Sequence, residues 1–352
     1  MRKGPAMRAL LALVMAAAVA WGGYWYAGSR AVLAGARAAL ADLRDQRRGD
    51  AAGVTLAGFP SRFDLTVAAP SLVSADGSLG WSAPFVQILA LSYRPHHLIA
   101  VWPDRQSLTI GGQPLTLLGD DIRASAVAGA SLDLPLDHAQ LVASGLSLSA
   151  EAGWDLRLRE LRLALRRAGA EPAGRASVAL AGAPAFAEDG RDHQIGIALD
   201  DLAPGAGLRA LIDPGGRLPA LVEAATLSAI LSFDRPIDRN AAATGLRLTA
   251  IRDIAADLRW GKIAVTLRGA LVIGASGLPE GQITVTAREW RPLLAALTEA
   301  GAIGADVAPT VRNMAEALAR GAGDTGTLTL PLDLGGGWIS LGPFPLAPIP
   351  RL

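Results

Sequence analysis

The strongest constraint on the fold is an alternation of apolar and polar residues, with a period of two, that recurs through most of the chain after its N-terminal region. The stretch RFDLTVAAP places Phe63, Leu65 and Val67 on one side and Asp64 and Thr66 on the other. Successive side chains of a β-strand point to opposite faces of the sheet. The pattern therefore predicts strands with one buried face.

A second stretch, WDLRLRELRLALRR, keeps the alternation but changes its phase. Leu156 and Leu158 precede Arg159-Glu160, and the apolar positions resume out of phase at Leu161. A phase change inside one long strand predicts a bulge or a corner at this point.

Comparable stretches bounded by Gly, Pro, Asp or Asn predict about fifteen to eighteen strands. Helices after the N-terminal region are expected only at 217–225, 290–300 and 308–320. The predicted fold is mainly β (α+β), with a large, mostly antiparallel sheet that is curled or sandwich-like and carries few short helices.

The apolar face of such a sheet has to be covered. If the sheet curls without closing, the face forms a groove suited to acyl chains; if two sheets close on each other, the same residues are ordinary core. Both alternatives fit the alternation. The candidate groove or core residues are Leu65, Val67, Leu156, Leu158, Val265 and Leu267.

The N-terminal stretch MRKGPAMRALLALVMAAAVAWGGYWYAGSR predicts a transmembrane helix. After three basic residues it carries no charge from Ala9 to Ser29, which as a helix of about 31 Å is long enough to cross a bilayer. A candidate membrane-interface belt follows at the far end of this segment, formed by Trp21, Tyr24, Trp25 and Tyr26.

The alternative for this stretch is a cleaved signal peptide, because Ala18-Val19-Ala20 matches an A-x-A cleavage site. The aromatic belt favours an uncleaved anchor. Since the basic cluster precedes the helix, we expect a single-pass inner-membrane protein with the bulk of the chain in the periplasm. Helically spaced apolar residues after the anchor predict a stalk. The expected organisation is an anchor at 1–30, a stalk at 31–53, and β-rich subregions at 54–203 and 204–352.

Charge and cysteine content narrow the possible partners. The chain has 33 basic and 32 acidic residues, so it has no strong overall field to attract nucleic acid. It has no cysteine, and an exported chain without disulfides depends on core burial and sheet hydrogen bonds.

The adjacent residues His96 and His97 are the most visible candidates for a metal site. Neighbours on a strand point to opposite faces, and zinc or iron sites need three or more ligands. The only other histidines are His138 and His193, far away in the sequence. The pattern therefore predicts no metal site.

Three further patterns predict structure in preference to catalysis. The pairs Asp120-Asp121 and Asp200-Asp201 resemble acid–base pairs but are expected in turns. GAGDTG, from Gly321 to Gly326, matches a dinucleotide loop in letters, but it follows a predicted helix and precedes a strand, which is the reverse order. With no thiol and no nucleophile motif, we expect no catalytic residue, no cofactor and no enzymatic activity.

Six tryptophans are scattered one per segment, mostly at the ends of predicted elements. This distribution favours packing anchors, although a carbohydrate platform would use the same residue type. They are Trp81, Trp102, Trp154, Trp260, Trp290 and Trp338.

The runs GFPSRFDLTVAAPSL, GWSAPFVQILALSYRPHHLIAVWPDRQSLTIGG and LRWGKIAVTLRGALVIGASGLPEGQITVTAREW, with the ending LGGGWISLGPFPLAPIP, resemble a bacterial envelope family known as domain of unknown function 2125. The resemblance covers about Val54 to the C-terminus. It implies an architecture but no reaction, so no catalytic residue follows from it. More loosely, the chain is similar to AsmA-like envelope proteins, which implies a link to lipid traffic.

These observations lead us to expect a membrane-anchored periplasmic protein that binds or transfers lipid without catalysis. The alternative is an envelope scaffold that binds another protein through sheet edges or the helical pair after Trp290. A hydrolase or glycan-binding protein is the third hypothesis. The expected partners are the inner membrane together with phospholipid or another envelope protein.

Overall fold

The computed structural model describes residues 5–168, 190–241, 245–304 and 306–349. These residues belong to two compact units. Unit 1 comprises Met1–Leu117 and Ile122–Ala126, and unit 2 comprises Leu118–Asp121 and Val127–Leu352.

The described residues contain four helices of at least one full turn and twenty strands. The helices are α1 (Pro5–Asp45), α2 (Ala206–Ile212), α3 (Trp290–Glu299) and α4 (Ala308–Gly321). The first ten strands are β1 (Gly49–Asp50), β2 (Gly53–Ala57), β3 (Arg62–Ala68), β4 (Ser71–Val73), β5 (Leu79–Ser82), β6 (Phe85–Leu91), β7 (Arg94–Trp102), β8 (Arg105–Ile110), β9 (Gln113–Leu118) and β10 (Asp121–Ala128). The others are β11 (Leu136–Ala150), β12 (Asp155–Arg167), β13 (Asp192–Pro204), β14 (Val222–Phe233), β15 (Leu248–Trp260), β16 (Ile263–Ile273), β17 (Pro279–Arg288), β18 (Thr327–Gly335), β19 (Trp338–Leu341) and β20 (Phe344–Pro348).

The sheet of unit 1 is an antiparallel meander of four long, kinked strands. Its first half has the order β2–β3–β6–β7 and its second half the order β1–β4–β5–β8. The same four chain segments therefore neighbour each other on both sides of the kink. Pro70 and Pro84 lie at the kink, and their carbonyls accept hydrogen bonds from Ala83 and Ala69 respectively. Proline cannot donate to the ladder, and here it is confined to the bend between two strand segments.

Helix α1 is one continuous helix of 41 residues. Its N-terminal part is long and apolar enough to span a membrane, and its C-terminal part lies against the sheet of unit 1. The expected stalk is thus present, but the helix ends at Asp45 and the chain enters β1 at Gly49.

Unit 2 contains a ten-stranded antiparallel meander from β11 to β20 in which each strand pairs with the next one along the chain. The predicted corner lies in β12: Arg159 stands between Gly145 of β11 and Asp201 of β13, and these two neighbours have φ of 59° and 56°. The phase of burial changes at this row, so Leu158 and Leu161 both turn away from solvent. Because β11, β12 and β13 change phase at the same row, the pairing register between them is the same before and after the corner.

The apolar face of this sheet is buried in its middle. A cluster of buried residues on β14, β15 and β16 has Ile195 of β13, Ile283 of β17 and Leu334 of β18 packed against it. Ile195 is the direct cross-strand neighbour of Ala229 in this cluster. Apolar side chains of six consecutive strands therefore share one core.

Helices α3 and α4 cover one end of this apolar face. Trp290, Ala315 and Ala319 pack with Ala287 of β17 and Leu328 of β18. The predicted helices 290–300 and 308–320 are confirmed, and so is the mainly β fold with one N-terminal apolar helix and a large antiparallel sheet.

The predicted helix at 217–225 is wrong. The buried carboxylate of Asp213 accepts hydrogen bonds from the backbone N–H of Arg217 and of Leu218, both at 2.9 Å. The carbonyl of Pro219 accepts one from the Trp260 indole at 2.8 Å. These contacts hold the segment out of a helix until Val222 begins β14. The short helix α2 at Ala206–Ile212 was not predicted.

Candidate functional site

The six candidate groove or core residues divide between the two units. Leu65 and Val67 line an apolar cavity in unit 1. Val265 and Leu267 of unit 2 pack against buried clusters of its sheet. Leu156 and Leu158 pair with Leu148 and Leu146 of β11 on the apolar face of unit 2. The cavity of unit 1 is therefore the candidate site.

One wall of the cavity is the sheet of unit 1. Leu65 stands opposite Leu56 and Ile88, and Val67 stands opposite Val54 and Val86. Directly opposed residues of an antiparallel pair lie on the same face. The alternation of β3 therefore builds a floor of branched aliphatic side chains across three strands.

The other wall is the stalk part of α1. Its lining residues are Ala36, Ala39, Leu40 and Leu43. At 3.6 residues per turn these four positions fall on one side of the helix. Two of them are alanine, and these short side chains leave space between helix and sheet where larger residues would fill it.

Two tryptophans from the two halves of the sheet also line the cavity. Trp81 and Trp102 both belong to the lining. The Trp81 indole N–H donates to Oε1 of buried Gln106 at 2.8 Å, so its polar atom is satisfied away from the cavity. The ring can then face an apolar occupant without an unpaired donor.

Polar groups of the lining lie near the end of α1. Asp50 is the one ionisable residue among the lining residues that the structure describes, and Ser71 is its polar neighbour. The Arg44 guanidinium donates to Asp50 at 2.5 Å and to the carbonyl of Ala51 at 2.7 Å. This hydrogen bond from Arg44, together with one from the Ala51 N–H, lowers the pKa of Asp50. The carboxylate is therefore ionised and paired at neutral pH.

The cavity has a volume of about 530 Å³, within the range of about 300–1,000 Å³ usual for small-molecule sites. Its lining offers large apolar area and one neutralised ion pair at an end. Such a site suits an acyl chain or another elongated apolar group, because burial of apolar surface supplies the binding free energy.

The line of contact between α1 and the sheet of unit 1 is here called the seam. Aromatic rings close the seam on the side nearer the N-terminus of α1. Phe63 is buried and lies 6.1 Å from the Trp25 ring in a stacked arrangement. Its ring also lies over Gly28, where a Cβ would come within 2.8 Å of Cζ. Glycine at this position allows the helix to approach the sheet closely.

The four residues of the candidate belt also make specific contacts within unit 1. Trp21, Tyr24 and Trp25 donate hydrogen bonds to backbone carbonyls of unit 1, and the ring of Tyr26 lies 5.5 Å below the Arg30 guanidinium. Sequence reasoning missed the three hydrogen bonds, because their acceptors lie at least 37 residues away.

The adjacent residues His96 and His97 both lie on β7 and are half-buried. Among the described parts of the chain, no group of three or more His, Asp or Glu side chains is placed to hold a metal ion. The absence of a metal site stays a prediction.

The two carboxylate pairs occupy different surroundings. Asp120 lies in a bend, as expected, but Asp121 is the first residue of β10 and not a turn residue. Asp200 and Asp201 lie inside β13 and not in a turn, a correction to the sequence interpretation. There they form ion pairs of 2.6 Å with Arg162 and Arg159. These carboxylates stabilise the corner of the sheet.

The GAGDTG motif joins the end of α4 to β18, as predicted from its order. The side chain of Asp324 accepts hydrogen bonds from the Gly326 N–H at 2.9 Å and from the Thr327 hydroxyl at 2.6 Å. The bond from Thr327 lowers the pKa of Asp324. The motif is a turn closed by its own aspartate.

A second cavity, of about 560 Å³, lies beside α3 and α4. Arg291 pairs with Glu316 at 2.8 Å and Arg217 pairs with Glu299 at 2.7 Å within its lining. Exposed pairs of this kind contribute little stability. These four charges are already paired, and of the six scattered tryptophans the lining includes Trp290.

The comparison with known protein families identifies the family of this chain. Residues 25–350 match the model of a family described as "Uncharacterized protein conserved in bacteria (DUF2125)". No curated protein and no solved structure matches the chain, and the looser similarity to AsmA-like proteins stays a prediction. The match covers nearly the whole chain, from the aromatic end of the apolar segment through both units, and the chain belongs to this family of uncharacterized bacterial proteins.

Proposed function

We propose that this protein is a single-pass inner-membrane protein that holds the acyl chain of a lipid in the cavity of unit 1, on the periplasmic side, without catalysis. The observation that carries the proposal is the cavity itself, because its two walls are apolar and its one carboxylate is paired with Arg44. The basic N-terminus before the apolar segment supports the orientation.

The position of the cavity along α1 also supports a lipid as the occupant. The lining begins at Ala36, which is about 10 Å beyond the end of the charge-free segment at Ser29. The lining ends at Leu43, about 10 Å further on. A lipid whose headgroup stays near the bilayer surface could place part of one chain in this cavity.

The seam on the membrane side of the cavity is lined by small or apolar side chains. Gly28, Val32 and Leu33 are half-buried and Ser29 is buried, and Phe63 closes the membrane end of the seam. No acid, base or nucleophile is needed to hold or move an apolar chain. The proposed activity therefore fits residues that supply shape and apolar surface alone.

The test is native mass spectrometry of the full chain extracted from membranes. The wild type should carry about one phospholipid per chain. Val67→Gln, which places an amide in the floor of the cavity, should lose it. Thr66→Gln is the matched control, because Thr66 is the neighbour on β3 that points to the opposite face. Equal lipid content in the two variants, both folded, would contradict the proposal.

A soluble fragment for the same test has to keep the stalk. Residues Ala36 to Leu43 form a whole wall of the cavity, so a fragment that begins after Asp45 would lose the site. A fragment that begins near Ser29 retains both walls.

The second candidate function is that of an envelope scaffold, favoured by strand β20. Within the described residues β20 pairs with β19 alone, which leaves its other edge open. Phe344 and Leu346 of β20 are exposed. Open strand edges with apolar side chains can accept a strand of another protein. Loss of a protein partner on Leu346→Pro, with lipid content unchanged, would favour this function.

A further inference from the structure

The end of unit 1 next to the apolar segment of α1 consists of two loops, Gly58–Arg62 and Ser92–Arg94, here called the tip. Three side chains of α1 hold it. The Trp21 indole donates to the carbonyl of Pro60 at 2.9 Å, and the Trp25 indole donates to the carbonyl of Arg62 at 2.7 Å. The Tyr24 hydroxyl donates to the carbonyl of Ser92 at 2.6 Å. The tip therefore lies alongside Trp21 to Trp25.

The length of the helix before this contact is too short to cross a bilayer. From Ala9, the first residue after Arg8, to Ala20 the helix rises by only about 18 Å. The hydrocarbon core of a bilayer is about 30 Å thick. The missing length of about 12 Å has to come from the next eight residues or so, to which the tip is bonded.

We infer that the tip is immersed in the membrane interface, with Phe59 inserted among the lipid chains of the leaflet nearest to unit 1. The inference rests on α1 spanning a membrane, which is part of the proposed function. Backbone groups of a loop cannot enter the hydrocarbon core unpaired. The tip accordingly lies at the boundary between headgroups and chains, as interfacial aromatic residues do.

The exposed side chains of the tip are aromatic and basic, which are the residue types typical of a membrane–water interface. Phe59 is 64% exposed and Tyr93 is 58% exposed, although both belong to residue types that proteins usually cover. Phe59 packs edge-on against Trp25 at 5.2 Å, which fixes the direction in which it projects. Arg62 is paired with Asp64 at 2.6 Å, whereas Arg94 follows Tyr93 directly in the chain, and a basic side chain at this depth favours anionic headgroups.

The experiment uses single-cysteine variants of the full chain, which has no native cysteine. A nitroxide label is attached at Phe59→Cys, in vesicles of phosphatidylethanolamine and phosphatidylglycerol. The matched control is Leu79→Cys, which is also exposed and apolar but lies beyond β3 and β4 at the other end of the same sheet. Met15→Cys, in the middle of the apolar segment, reports whether α1 spans the membrane.

Electron paramagnetic resonance then compares the accessibility of each label to oxygen and to a water-soluble nickel chelate. We expect the label at residue 59 to favour oxygen and to lie roughly 5–10 Å below the headgroups, while the label at residue 79 favours the nickel chelate. A label at residue 59 as exposed to nickel as that at residue 79, with the label at residue 15 in the membrane, overturns the inference alone. A label at residue 15 exposed to nickel overturns both the inference and the proposed anchor.

Discussion

A large side chain placed on the helical wall of the cavity tests whether the lipid binds there, because it should lower the affinity for lipid. The change is Ala36→Trp, which places an indole between the stalk and the floor formed by Leu65 and Val67. The matched control is Ala38→Trp. Ala38 is exposed on the same turn of α1 but lies about 160° around the helix from Ala36, away from the sheet.

The expected loss of affinity follows from the volume that the indole takes from the ligand. The change adds about nine heavy atoms, which displace a similar number of chain carbons, at about 0.8 kcal/mol per buried methylene. The full loss would be about 7 kcal/mol. If only half of the displaced carbons were in contact with the protein, about 3.5 kcal/mol is lost, which is about 300-fold in affinity.

The same change should not unfold unit 1. Burying about 150 Å² of additional apolar area contributes about 4 kcal/mol, whereas an indole N–H left without a partner costs about 1–3 kcal/mol. The thermal midpoint of Ala36→Trp should therefore equal or exceed that of the wild type. This separates loss of binding from loss of folding.

The assay is a fluorescence titration of the full chain, at a fixed detergent concentration, with a phospholipid that carries a fluorophore on its acyl chain. Wild type and Ala38→Trp should bind with equal affinity, and Ala36→Trp should bind at least tenfold more weakly. Equal binding by Ala36→Trp and Ala38→Trp, with both variants folded, would refute the assignment of the cavity as the lipid site.

Three further outcomes follow from the structure. Gly28→Leu should lower the free energy of unfolding of unit 1 by roughly 1–3 kcal/mol, because its side chain overlaps the buried ring of Phe63. The same change at Gly35, where no atom lies within 4 Å, should be neutral or slightly stabilising in thermal unfolding. Val265→Asp should cost about 3 kcal/mol or more in unit 2, since it buries an unpaired charge between two packed clusters; an unchanged midpoint would show that the strand phase is wrong. Burial lowers the pKa of His193 below its usual value, although nearby backbone groups oppose part of the shift. Its neutral form therefore adds stability above about pH 6.5, which is lost as the pH falls toward the lowered pKa. In chemical denaturation, the free energy of unfolding of the wild type should fall relative to that of His193→Gln when the pH is lowered from 7.5 to 5. A difference between the two proteins that does not change with pH would contradict this reasoning.

The parts of the fold that depend on local pattern could be predicted from the sequence. The alternation around Leu65 and Val67 identified a half-buried strand, and the phase change after Arg159-Glu160 identified the corner of the large sheet. Both signals arise within one strand, where the period of the side chains decides which face is buried.

The segment at 217–225 shows where local pattern fails. Its composition suits a helix, but the buried carboxylate of Asp213 accepts hydrogen bonds from the N–H groups of Arg217 and Leu218, and the carbonyl of Pro219 accepts one from the Trp260 indole. Asp213 is a local partner, whereas Trp260 comes from β15, 41 residues further along the chain. A local side-chain contact and a tertiary one together outweighed a weak helix propensity.

Only one wall of the candidate site could be predicted from the sequence. Leu65 and Val67 were recognised as apolar lining, but the helical wall was not, because the alanines at 36 and 39 look like any stalk residues until the sheet lies opposite them. The bonds from Trp21 and Trp25 to the tip were equally hidden, since the aromatic belt alone explains why those residues follow an apolar segment. Pairings between distant segments carry no signal in a single sequence.

The measurement that tests the central claim most directly is photo-crosslinking in intact cells. A benzophenone amino acid is placed at Ala39, which lines the cavity, or at Ala38, the next position toward the membrane on the same helix, which does not. The two sites differ by about 1.5 Å in height above the membrane, so general exposure to lipid is matched. We expect mass spectrometry to find a covalent phospholipid adduct at residue 39 and none, or far less, at residue 38. Equal lipid adducts at both positions, or none at residue 39, would contradict the account.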